Sequence, residues 1–109
     1  MDTRYYSKKQ EERVAKLLDG KVSANSGATG FFKGDIRTKD FLIECKTATK
    51  EIKSVSIKKE WLLKLNQEKF SMGKSQMAIA FDFGDNKDWF IISSDLMQWL
   101  IKHYEEEVK

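Results

Sequence analysis

The residues best suited to chemistry stand between positions 34 and 46: Gly34-Asp35-Ile36, then Phe41-Leu42-Ile43-Glu44-Cys45-Lys46. Side chains two apart on a strand point to the same side, so Glu44 and Lys46 share a face. A hairpin turning near Lys39 folds Asp35 back opposite Ile43 or Glu44. Two carboxylates then converge within reach of one divalent cation, with an ammonium beside them. Mg²⁺ takes a few carboxylate oxygens and keeps several waters, so a partial cage suits it. A metal lowers the pKa of water bound to it, and a neighbouring lysine orients that water or neutralises a phosphate. In a chain that is 34% charged the spacing alone is a weak signal. The setting strengthens it, because these polar groups end an apolar run that belongs inside a sheet.

The elements that must hold these residues follow from periodicity. Ser7-Lys8-Lys9-Gln10 has the spacing of a capping box, followed by Val14, Leu17 and Leu18 on one helical stripe and Gly20 as the stop. Residues 21–24 start a sheet, and 25–34, with Gly27, Gly30 and Gly34, form a loop. Strands are expected over 34–38 and 41–47. A second helix opens at Ser54 or Ser56, places Ile57, Trp61, Leu62 and Leu65 on one face, and ends at Gly73. Residues 76–83 and 88–93 form a hairpin about Gly84-Asp85-Asn86. Ser94 or Asp95 caps a last helix with Leu96, Trp99, Leu100 and Tyr104 turned inward. The order α-β-β-β-α-β-β-α predicts an α/β fold with a mixed sheet flanked by helices, as a single domain over residues 1–109.

Composition narrows the function classes. The longest apolar runs fall far short of the roughly 20 residues of a membrane span, and the amino terminus has no apolar signal region. One cysteine rules out an internal disulfide, and one histidine leaves no Cys/His zinc site. A cytoplasmic setting is expected. Net charge is +3, but residues 1–74 carry 17 Lys and Arg against 10 Asp and Glu, a net of +7, whereas 75–109 carry 3 against 7, a net of −4. A basic face meeting a polyanion is one reading, and abundant lysine on solvated helices is the other.

Other motifs carry less. Gly73-Lys74-Ser75 ends like a phosphate-binding loop, but that motif needs glycine where Glu68 stands. Cys45 reads as a packed residue rather than a nucleophile, His103 as solvated, and the tryptophans as core. Phe31-Phe32 either anchors the glycine loop or wedges its two aromatic rings into a bound partner.

Gly34-Asp35-Ile36…Phe41-Leu42-Ile43-Glu44-Cys45-Lys46 resembles the motif of the PD-(D/E)XK nucleases, with Gly34 in place of the proline. With the upstream glutamate-bearing helix, the Ser26-Gly27 pair and the chain length, it resembles the small archaeal-type and phage-like Holliday junction resolvases. The resemblance implies a PD-(D/E)XK-like core and a Mg²⁺-dependent endonuclease of four-way junctions, with Mn²⁺ as a substitute metal. It implies Asp35, Glu44 and the Cys45 backbone carbonyl as metal ligands, Lys46 as the catalytic lysine, a further glutamate from the first helix, and Ser26 as a loop serine assisting catalysis. Products would carry 5′-phosphate and 3′-hydroxyl ends. Lys33, Arg37, Lys39, Lys50 and Lys53 would neutralise backbone phosphates without reading sequence. Branched DNA is the expected partner, with a second copy of the chain supplying the second nick and no small-molecule cofactor. A nickase, a flap or mismatch endonuclease, and a non-catalytic DNA-binding module remain as alternatives.

Glu11 and Glu12 compete for the helix position. At about 100° per residue, with Val14 at 0°, Glu11 falls near +60° and Glu12 near 160°. Glu11 therefore flanks the buried stripe and Glu12 points to solvent. A first-turn acid stabilising the helix dipole is the other role open to Glu11. Glu11→Gln is expected to lose cleavage with little change in melting temperature.

Overall fold

The computed structural model describes residues 3–23 and 35–108, with side chains from Tyr5 onward. Its centre is the apolar run already noted. Phe41–Lys46 forms β3, in which Leu42 and Ile43 are both buried although they point to opposite faces. A strand buried on both faces needs a layer on each side. Helix α1 (Thr3–Leu18) covers one face, packing Val14 and Ala15 on Ile36, Ile43, Ala78 and Ala80. Helix α2 (Lys59–Ser71) covers the other, where Leu65 meets Leu42 and Ile79 and is flanked by Trp61 and Leu62.

The remaining strands are β1 (Lys21–Val22), β2 (Ile36–Arg37), β4 (Gln76–Phe81) and β5 (Trp89–Ile92), followed by α3 (Ser94–Glu107). The five strands lie side by side in sequence order. β3 and β4 are parallel, joined across the face by α2, and every other pair is antiparallel. This is an α/β fold with the expected element order and a mixed sheet. No described helix is long and apolar enough to cross a membrane.

Expectations for all three helices are corrected. Helix α1 already runs from Thr3, so Ser7 and Gln10 lie inside it rather than forming a capping box. Gln10 is fully buried, and Leu17 and Leu18 are exposed, so the buried stripe is Gln10, Val14 and Ala15. Helix α2 opens at Lys58, whose extended backbone precedes the first turn without a side-chain cap; Ser54 and Ser56 lie upstream of it. In α3 only Leu96 is buried, whereas Trp99, Leu100 and Tyr104 are exposed. Beyond Leu96 no side chain of the helix is buried, so most of its apolar face stays exposed. Its N-cap is Ser93, whose side chain accepts the Leu96 amide at 3.1 Å, one residue before the expected cap.

A polar clamp sets the rotation of α1. Arg13 Nε and Nη2 donate to the two Asp88 carboxylate oxygens at 2.6 and 2.8 Å, and Nη2 also donates to Asp82 Oδ2 at 2.9 Å. Buried Asp82 accepts the Ala48 and Gly84 amides through Oδ1, each at 3.1 Å, so its charge is well satisfied. Gln10 Nε2 donates to the Lys46 carbonyl and to Asp88 Oδ1, both at 3.3 Å, and Gln10 Oε1 accepts the Thr47 hydroxyl. The first helix is thereby tied to the end of β3.

The turn between β4 and β5 yields a stability prediction. Gly84 has φ +82°, and a Cβ there would run into the Lys50 carbonyl; Gly73 has φ +67° with open space around it. Both glycines accept a backbone that other residues resist. Gly73→Ala is expected to cost about 1 kcal/mol, the left-handed penalty alone. Gly84→Ala should cost roughly 2–4 kcal/mol, because a backbone collision adds to that strain. Urea midpoints of the two variants, compared with the parent, measure the difference.

Candidate active site

Asp35 and Glu44 meet because of the β2–β3 register. Ile36 pairs with Ile43 and Arg37 with Leu42, so the residue before Ile36 stands across from the one after Ile43. The hairpin turns through residues 38–40, where the Thr38 amide donates to the Phe41 carbonyl at 3.0 Å. Asp35 is locked on both sides: its amide donates to the Ile43 carbonyl and its carbonyl accepts the Ser23 amide, each at 2.8 Å. Its carboxylate Oδ2 accepts the Cys45 amide at 2.7 Å. The carboxylate therefore cannot swing away from the end of β3.

Glu44 and Lys46 share the α2 face of β3, alternating with Leu42 on that face. Lys46 Nζ lies 3.5 Å from Glu44 Oε2 and 4.0 Å from the centre of the Trp61 ring. Both side chains are partly buried. The ammonium is thus held between a carboxylate and an aromatic face, a contact worth about 0.5–1 kcal/mol at a partly exposed site.

Glu11 arrives from α1. It is half-buried and Glu12 is exposed, as the helical wheel predicts. Gln10, Val14 and Ala15 define the buried arc, and Glu11 lies within that arc, one turn nearer the helix start than Ala15. Burial, then the charge of Asp35, then that of Glu12, push the Glu11 carboxyl up to about 7. Among the described residues it forms no ion pair. Asp35 is also held above the ordinary aspartate value, chiefly by burial; Glu44 raises it further, while the Cys45 amide and Lys46 act in the opposite direction. The Cys45 thiol is pushed up by burial first and then by the charges of Asp35, Glu11, Asp88 and Glu44. A thiol kept protonated this way is no nucleophile.

Burial and like charge hold both Glu11 and Asp35 above their ordinary values, with Asp35 acting on Glu11 and Glu44 on Asp35, so positive charge is underprovided here. Among the described residues no three His, Cys, Asp or Glu side chains are gathered into a ready-made metal cage. That geometry does not suit a structural zinc site. Mg²⁺ asks for less than such a cage, since one or two carboxylates suffice and water and phosphate oxygens complete its shell.

The other candidates divide. Ser26, Lys33 and the Phe31-Phe32 pair lie outside the described residues. Lys50 and Lys53 are exposed and follow β3 at the end that carries Glu44 and Lys46. Arg37 and Lys39 belong to the hairpin side, and Lys39 sits in the turn at the opposite end of β3, roughly 17 Å of strand away. Sequence reasoning missed Gln10 and Trp61. For Trp61 a signal existed, since it and Leu42 share the α2-facing layer in which Lys46 must lie. For Gln10 there was none, because its partners are 36 to 78 residues away.

Comparison with family models, curated proteins and solved structures found no match.

Proposed function

We propose that this chain is a Mg²⁺-dependent DNA endonuclease of PD-(D/E)XK type that acts on branched DNA, a four-way junction being the preferred substrate. One observation carries the reading: Asp35 and Glu44 face each other across the β2–β3 pair, with Lys46 at 3.5 Å from Glu44 and the half-buried Glu11 within electrostatic reach of Asp35. The motif is thus more than a spacing, since Asp35 and the neighbouring Glu11 lie where burial and like charge favour a bound cation.

Asp35 and Glu44 would hold Mg²⁺ with the Cys45 carbonyl as a further oxygen, and Glu11, which is not gathered with them into a three-acid cage, would act from the helix side through its charge. A bound Mg²⁺ supplies charge neutralisation at the scissile phosphate and a nucleophile at neutral pH. The chain's own part is positioning. The Cys45 amide fixes the Asp35 carboxylate, and Gln10 fixes the end of β3 against α1. The Trp61 ring holds the Lys46 ammonium, which donates hydrogen bonds to a phosphate oxygen as charge builds there. Lys50 and Lys53, which follow the site in the chain, would meet flanking phosphates without reading bases.

The test is direct. Purified protein is incubated with a labelled four-way junction, a flap, a mismatched duplex, a nicked duplex and plain duplex, with Mg²⁺ or with EDTA. Mg²⁺-dependent paired nicks in symmetric strands of the junction are expected. Cleavage confined to another substrate moves the reading to a nuclease of that specificity. No cleavage of any substrate in Mg²⁺ or Mn²⁺ refutes it.

A further inference from the structure

The end of the sheet that carries Lys46 has a second concavity, on the other flank of α1. That flank, the segment after β3 and the β4–β5 turn close around a pocket of about 330 Å³, within the size range of small-ligand sites. At about 100° per residue, with Val14 at 0°, Tyr6, Arg13 and Lys9 fall near −80°, −100° and −140°. Glu11, near +60°, lies on the opposite flank. The pocket and the acids are thus separated by about one helix width, roughly 10 Å, with the end of β3 between them. Lys46 turns to Trp61 on the α2 side. The next residue, Thr47, turns to Gln10 on the α1 side and forms part of the pocket wall.

The lining combines aromatic, cationic and neutral polar groups. Tyr5 and Tyr6 meet edge to face, with ring centres 5.3 Å apart and planes at 86°, so the two rings form a corner. Lys9 Nζ stands 4.8 Å from the centre of the Tyr5 ring and forms no ion pair among the described residues. Thr49 and Asn86, both exposed, bring a hydroxyl and an amide to the rim. The rest of the wall is fixed. Arg13 is spent on Asp82 and Asp88, and buried Asp82 accepts the Ala48 and Gly84 amides. With its charge matched in this way, Asp82 does not repel an anion. A ring to stack on, a cation for a phosphate and hydrogen-bonding groups for a base edge are the parts of a single-nucleotide site.

We infer that this pocket takes one unpaired nucleotide of the branched substrate, its base against the Tyr5–Tyr6 corner and its phosphate on Lys9, one or two steps from the phosphate that is cut. The inference rests on the proposed function, and it adds how a branch is told from plain duplex. A pocket bounded by a helix and two chain segments admits a lone base and not a paired, stacked one. A branch point offers unstacked nucleotides, whereas a duplex must first unpair and unstack one. Every base presents a π-face, so the pocket reads DNA structure without reading sequence.

Photocross-linking of the full chain in Ca²⁺, so that binding is read without cleavage, tests it. 5-Iodouracil, which couples to a stacked aromatic ring on irradiation, is placed in turn at each position around the branch of a four-way junction and at matched positions of a duplex. A cross-link that maps to Tyr5 or Tyr6 is expected from the junction and not from the duplex. Gel-shift affinities for the two DNAs supply a second arm, with thermal melts to confirm folding. Tyr5→Leu combined with Tyr6→Leu should lower junction affinity about tenfold, the worth of one stacked base, and leave duplex affinity unchanged. Tyr5→Phe combined with Tyr6→Phe keeps the rings and should keep the parent's preference. Lys9→Gln should lower the salt dependence of junction binding by about one phosphate's share.

No cross-link to either tyrosine, an equal cross-link from duplex, or junction and duplex affinities that fall together in a folded leucine variant overturns the inference. Equilibrium dialysis with free thymidine monophosphate separates a DNA site from a site for a soluble nucleotide. Weak binding displaced by junction DNA is expected, and tight binding that junction DNA does not displace overturns the inference. A tyrosine cross-link without nuclease activity sinks the proposed function and leaves the pocket standing; junction nicking without the cross-link does the reverse.

Discussion

Asp35→Asn and Lys46→Ala are each expected to lower Mg²⁺-dependent cleavage by about a hundredfold or more, the scale of removing one preorganised charge from a reacting centre. Binding to the same DNA in Ca²⁺ should change little, because affinity comes from distributed phosphate contacts. The structure explains why these substitutions leave the fold intact. Asp35→Asn keeps an oxygen for the Cys45 amide, the bond that the carboxylate makes at 2.7 Å, and it removes a charge that burial disfavours. Lys46→Ala gives up a partly exposed ion pair with Glu44 and a contact with Trp61, a loss of about 1 kcal/mol. Single-turnover cleavage of the best substrate, paired with gel-shift affinity in Ca²⁺ and a thermal melt, separates the roles. Cleavage near the parent rate in both variants would remove Asp35 and Lys46 from the site.

The part of this site that could be read beforehand is the part made by neighbours in sequence. Phe41-Leu42-Ile43 announces a strand buried on both faces, and a turn near Lys39 is enough to bring Asp35 opposite Glu44. The observed register, Ile36 with Ile43, is that arrangement. The partial burial of Glu11 was legible because helical periodicity is nearly rigid and Val14 is buried, although Leu17 and Leu18, the other residues of the expected stripe, are exposed. What stayed hidden depended on partners far along the chain. Ser7 and Gln10 have the spacing of a cap, but the cap was never needed, and Gln10 bonds instead with the Lys46 carbonyl and Asp88. Ser54 and Ser56 look like helix starts, yet α2 waits until Lys58, since its buried residues, Leu65 and Glu68, lie toward its middle and end. For α3 the apolar periodicity was real and its direction was not. A repeat of 3.6 residues says which side chains share a face, and it does not say whether the domain provides anything to cover that face.

The second large effect concerns Glu11, where function and stability are expected to move in opposite directions. The Glu11 carboxyl titrates at about 7 in the folded chain, above its ordinary value of 4.5. Below pH 4.5 both folded and unfolded chains hold the proton, and Glu11 has no pH-dependent effect. Between 4.5 and 7 the unfolded chain ionises first, so stability falls as pH rises; above 7 both are ionised and the folded state carries the full penalty. Glu11→Gln removes that penalty. Since the side chain is only half-buried, solvent screening reduces the gain to about 1 kcal/mol, which raises the melting temperature by a few degrees at about pH 8 and not at about pH 4. This differs from the small effect that the helical wheel alone implies, because Glu11 is half-buried and, second to that, lies within reach of the Asp35 charge. Cleavage should nevertheless fall by about a hundredfold in Glu11→Gln and stay near the parent rate in Glu12→Gln, whose side chain is exposed. Added Mg²⁺ should stabilise the parent more than Glu11→Gln, since a cation among the acids relieves the repulsion that the substitution has already removed. Thermal melts at the two pH values, with and without Mg²⁺, read the electrostatics without reference to cleavage. Equal melting temperatures for parent and Glu11→Gln on the alkaline side would mean that Glu11 is not held against Asp35, and an inactive Glu12→Gln would place the other glutamate at the metal.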